Sequence, residues 1–173
     1  MSTLFVLLLL ALHPLPVQGT PTPSQNNVLT SGTAYKQLDR LNALQSRARQ
    51  ILKSELSRRI DHECGDANLS NAESGKCLNA DAAITERNHR LFTRALEASL
   101  TIEPPDVAVS GLPLPSRNFT AAEAAWHSYV GKTCAALGDT EYGASGTPTD
   151  MVRCQQYLTR QHMKDLGELF LNH

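Results

Sequence analysis

Residues 120–169 read TAAEAAWHSYVGKTCAALGDTEYGASGTPTDMVRCQQYLTRQHMKDLGEL. Thr120 and Glu123 stand in the S/T-x-x-E arrangement of a capping box, which predicts a helix starting there. Trp126, Tyr129, Val130, Cys134 and Leu137 then recur at three- and four-residue steps on one side. A glycine-rich turn, Gly138 to Gly146, ends that helix. Thr147 is placed to cap a further helix with Pro148 at its first position, where a missing amide hydrogen costs nothing. In that helix Met151, Cys154, Leu158, Leu166 and Leu169 are expected to point inward. A bond between Cys134 and Cys154 would hold the two helices as a hairpin.

Working outward, Ser70 and Glu73 make a second capping box that opens a helix near Asn71. Its pattern runs through Cys77, Ile84, Asn88, Leu91 and Leu96 to about Leu100. Pro104 and Pro105 end it, since proline lacks the amide hydrogen and clashes with the preceding turn. Residues 102–118, with four prolines, are expected as a loop. Before Cys64, residues 34–60 carry Tyr35, Leu38, Leu41, Ala48, Ile51, Leu52 and Leu56 at helical spacing. No alternating strand pattern occurs. The expected fold is all-α: a disulfide-stapled bundle of about four helices, spanning residues 34–173 as one domain.

The opposite face of the first helix carries Lys36, Arg40, Arg47, Arg49, Lys53, Arg58 and Arg59. Residues 35–60 are net +5, which leaves −6 for the rest against a total of −1. A near-neutral total argues against a nucleic-acid binder relying on overall positive charge. The basic face is either a solvated surface or a contact for anionic lipid or glycan, centred on residues 36–59. A composition of 41% hydrophobic and 19% charged residues places the chain among folded globular proteins, not disordered ones.

Leu4–Leu12 is an unbroken apolar run, followed by Pro14, Pro16 and the small residues Val17 and Gly19. This reads as a secretory signal peptide cleaved after Gly19, with a flexible leader over 20–33. A bilayer span needs about 20 apolar residues, so the run is too short for an anchor. No cysteine near the cleavage point offers a site for lipidation. The expected location is the periplasm or the exterior. Four cysteines in an exported chain imply two disulfides, of which three pairings exist. Local pairing, Cys64–Cys77 and Cys134–Cys154, is expected because each closes a short loop between two helices.

No catalytic constellation stands out. The histidines form no HExxH, Ser145 in GASG follows no strand, and no CxxC or close histidine pair signals zinc. Trp126, the single tryptophan, is read as a core anchor. The expectation is a chain that is not an enzyme and holds no cofactor or metal. Asp139, Glu141, Tyr142, Gly143, Ala144, Ser145 and Gly146 form a candidate partner-binding loop. Glycine permits a tight backbone, tyrosine supplies apolar area with a hydroxyl, and acids attract cationic partners. A disulfide at its base would reduce the ordering cost of binding.

The order and spacing of these residues resemble the LprI-like lysozyme inhibitor domain of bacterial envelope proteins. That family has W-x-x-Y-R-D-x-x-C, an aromatic-glycine-serine loop, and a second cysteine followed by L-T-x-x-R-x-x-x-L. Trp126, Tyr129 and Cys134 match the first element; Tyr142, Gly143 and Ser145 the second; Cys154, Leu158, Thr159 and Leu166 the third. Cys64 and Cys77 followed by a long helix are similar to the family's first half, so the resemblance covers about 60–170. The chain departs from it at Val130-Gly131, where the family has Arg-Asp, and at His162, where it has arginine. The resemblance implies a partner, a lysozyme or related muramidase; the expected mechanism is occlusion, with loop 139–147 entering its substrate cleft. The alternative expectation is a non-catalytic envelope adaptor contacting anionic surfaces through its first helix.

Overall fold

The computed structural model describes residues 31–60, 64, 69–102, 115–140 and 147–172. Four helices account for nearly all of them: α1 (Ser31–Ser57), α2 (Asn71–Leu100), α3 (Pro115–Thr140) and α4 (Thr147–Leu171). No strand occurs among the described residues. The protein is an all-α bundle stapled by two disulfides in the local pairing, Cys64–Cys77 and Cys134–Cys154. Helices α2 and α4 each pack against the three others, while α1 and α3 lie on opposite flanks. The apolar run 1–19, most of the leader and most of the proline loop lie outside the described residues.

One end of the bundle holds the apolar core. Ala48 of α1, Phe92, Ala95 and Leu96 of α2, Phe119 of α3, and Met163, Leu166 and Leu171 of α4 are buried together. Phe119 meets Phe170 edge-on, ring centroids 5.6 Å apart. That contact accounts for a departure from the expected boundary. Helix α3 begins at Pro115, not at Thr120, because the earlier start carries Phe119 into the core. Pro115 is tolerated there for lack of a required amide hydrogen. Thr120 is consequently not a cap: its hydroxyl donates to Glu97 Oε1 across to α2, at 2.6 Å. The other capping box is present as expected, with Ser70 N donating to Glu73 Oε2 at 2.9 Å and Glu73 N to Ser70 Oγ.

Next to the core lies a buried polar layer. Glu55 is fully buried, and its carboxylate accepts hydrogen bonds from Arg58, Thr85 and Asn88. Arg58 also pairs with Asp81, so it is turned into the bundle and does not belong to the solvated basic face. Arg160 of α4 donates to the carbonyls of Glu55, Leu56 and Arg58, which closes the C-terminus of α1. Because Glu55 takes the inward position of the 48–51/52–55 stripe, Leu56 sits at the edge and is exposed. Tyr35, Leu38, Tyr129, Leu137 and Leu169, expected on inner faces, are exposed as well. In α3 the inward stripe is Phe119, Glu123, Trp126, Val130 and Cys134, one position away from Tyr129 and three from Leu137.

Candidate functional site

The sequence-derived loop divides at the edge of the described structure. Asp139 lies exposed in the last turn of α3, while Glu141, Tyr142, Gly143 and Ser145 fall outside the described residues. What is described is the base of that loop. Cys134 is fully buried, and its bond to Cys154 sets the two α-carbons 5.7 Å apart. The helices on either side expose Tyr129 at 55%, Leu137 at 41% and Tyr157 at 65%. Of the residues matched by the resemblance, Leu166 and Thr159 are buried on α4, Leu158 is half-buried, and Tyr129 points to solvent.

A second constellation occupies the middle of the bundle. His89 of α2 is 1% exposed. Around it gather Glu123, Trp126 and His127 of α3, and His162 of α4. Glu123 and His127 are one helical turn apart and so share a face. His162 stacks flat on Trp126, with ring centroids 4.1 Å apart and planes 8° from parallel. His89 lies 4.8 Å from the Trp126 ring and 5.5 Å from that of His127. Trp126 is thus half-buried among imidazoles, outside the apolar core cluster.

The two oxygens of Glu123 have different surroundings. Oε1 is 2.7 Å from His162 Nε2, a short charge-assisted hydrogen bond. Oε2 is 3.4 Å from His89 Nε2, an ion-pair contact longer than an ordinary hydrogen bond. Apart from that contact, Oε2 and both ring nitrogens of His89 are buried without a hydrogen-bond partner among the described residues. Burial pushes the Glu123 carboxyl up, but the hydrogen bond from His162, the longer contact with His89 and the charge these imidazoles carry when protonated outweigh it. Its pKa falls from 4.5 to about 2. The carboxylate is therefore ionised throughout the physiological range.

Sequence reasoning did not find this cluster. The Thr120–Glu123 spacing reads as a helix cap, and His89, His127 and His162 lie 35 or more positions from one another, so Glu123-x-x-x-His127 is the one local pairing. That i,i+4 pairing of two ligand-type side chains was the available signal, and only the packing of α2 and α4 against α3 brings His89 and His162 to it. His89, Glu123 and His127 present donor atoms all within 4.8 Å of one another. No family model, curated protein or solved structure matches this chain.

Proposed function

We propose that this chain is an exported, non-catalytic binding protein that inhibits a lysozyme-type peptidoglycan hydrolase by occluding its active site. The observation that carries the reading is the Cys134–Cys154 disulfide, which ties α3 to α4 about two helical turns from segment 141–146. Two disulfides suit an oxidising compartment. Among the described residues no helix is long and apolar enough to cross a membrane. Exposed Tyr129 and Tyr157 on the same two helices are the residue type that anchors protein interfaces. The acids Asp139 and Glu141 would complement a basic enzyme surface, and the order of motifs around them supports the muramidase as partner.

Lysis of a cell-wall suspension by muramidases of several classes, titrated with the oxidised protein, tests this. Dose-dependent protection that disappears on reduction of the disulfides is expected. Unchanged lysis with every class overturns it.

A second reading is favoured by the exposure of Arg40, Arg47 and Lys53 along α1 and of Arg59 just past its end. In it the bundle is an envelope adaptor contacting anionic lipid or glycan. Salt-sensitive binding to anionic vesicles, lost when those four residues are neutralised, distinguishes it from inhibition.

A further inference from the structure

We propose that His89, Glu123 and His127 form a binding site for one divalent transition-metal ion of the zinc class. The inference is independent of the muramidase reading. It rests on a mismatch between burial and pairing. A buried polar atom without a partner is destabilising, and native proteins rarely leave one unexplained. Here three such atoms occur in one place: Nδ1 and Nε2 of His89 and Oε2 of Glu123. Two of them, His89 Nε2 and Glu123 Oε2, face each other at 3.4 Å, an ion-pair contact longer than an ordinary hydrogen bond. Around a tetrahedral ion with ligand bonds of 2.0–2.1 Å, neighbouring donor atoms stand about 3.3 Å apart. His89 Nε2 and Glu123 Oε2 are therefore already spaced as two ligands of one ion.

His127 supplies the third donor. All three donor atoms lie within 4.8 Å, and the exposed ring of His127 can turn about its side-chain bonds to close the remaining gap. Its exposure also gives the ion a route from solvent. Two imidazoles and one carboxylate select a borderline ion over calcium or magnesium, which take oxygen donors. Three protein ligands leave a fourth position for water. His162 touches the other carboxylate oxygen and acts as a positioning residue, as hydrogen-bonded partners of metal ligands commonly do.

The experiment is calorimetric titration of the untagged, oxidised protein with Zn2+, paired with Co2+ titration read by the fluorescence of Trp126, the single tryptophan. One equivalent of Zn2+ is expected to bind, and Co2+ to quench Trp126 at the same stoichiometry. His127→Ala is the main variant because that ring is exposed and its loss should leave the fold intact, as circular dichroism would check. It should weaken binding at least about 10-fold, and Glu123→Gln should do the same. The absence of binding by millimolar Zn2+ or Co2+ would overturn the site. So would stoichiometric binding that both variants retain at full affinity, because the ion would then be held elsewhere.

Discussion

His162 is fixed in two directions at once: its ring lies 4.1 Å above Trp126, and its Nε2 lies 2.7 Å from Glu123 Oε1. The stack sets the plane of the imidazole, and the hydrogen bond sets the rotation of the carboxylate. Glu123 Oε2 is left aimed at His89. If His162 positions Glu123 for an ion, His162→Ala should lower Zn2+ affinity about 10-fold. His162→Gln, whose amide nitrogen can donate to the same oxygen, should recover most of it. Equal losses in both variants would show that His162 contributes packing and not orientation.

The Glu123 carboxylate also predicts acid sensitivity. Its folded pKa of about 2 lies below the ordinary 4.5, and that of Glu55 is lowered in the same direction. For Glu55, burial raises the pKa, but hydrogen bonds from Arg58, Asn88 and Thr85 outweigh it. A depressed folded pKa gives stability that is fully present above the unfolded value and lost as pH falls through the folded one. Urea midpoints measured with a chelator present should therefore decline between pH 4.5 and 2. Glu123→Gln should make that decline shallower. A midpoint that is flat from pH 5 to pH 2 would contradict the pairing.

Glu55 is the polar residue on which the middle of the bundle depends. It is fully buried and holds Arg58, Thr85 and Asn88. Removing one partner of a buried ion pair costs about 3–5 kcal/mol, because the remaining charge is left uncompensated. Glu55→Ala should lose stability on that scale in urea denaturation. Arg59→Ala, one residue past the network and exposed, should change it by about 0.5 kcal/mol or less.

The contrast between Glu55 and Leu56 shows how far the sequence could be read. Three- and four-residue apolar steps and the Ser70–Glu73 box are enough to give four helices and the start of α2, and the short loops between those helices give the local disulfide pairing. Periodicity counts apolar residues as inward, however, so it selected Leu56 and passed over the charged residue that occupies the buried position. The capping-box spacing points Glu123 to a helix end, and apolar periodicity says nothing of His89 or His162. Their roles arise from contacts between helices, and spacing within one helix does not encode those. Phe119 marks the limit at boundaries: the local box at Thr120 was a valid helix signal, and burial of one aromatic five residues into α3 overrode it.

The two disulfides should contribute separately. Cys134 and Cys154 are 20 residues apart and Cys64 and Cys77 are 13. Loop-closure entropy gives about 3 kcal/mol for either bond. Replacing Cys134 and Cys154 together by alanine should remove about that much, and should also weaken any inhibition carried by segment 141–146. Replacing Cys64 and Cys77 should cost similar stability with inhibition unchanged below the unfolding transition. Equal loss of inhibition from both pairs would argue against that segment as the contact surface.

Two glycines provide a test of how closely α1 and α4 approach. Within a helix, alanine in place of glycine stabilises by about 1 kcal/mol, since glycine has more backbone freedom to lose. Gly131 in α3 is exposed, and an added Cβ there would meet nothing within 4 Å. Gly131→Ala should realise that gain. At Gly167 in α4 an added Cβ would meet the Leu52 side chain of α1, so a leucine packed against the core must move. Overpacking of this kind costs about 1–3 kcal/mol, enough to cancel or reverse the helical gain. Thermal unfolding should therefore rank Gly131→Ala above the parent, with Gly167→Ala level with or below it. If Gly167→Ala gains as much as Gly131→Ala, then Leu52 moves aside freely and the α1–α4 contact is looser than their spacing implies.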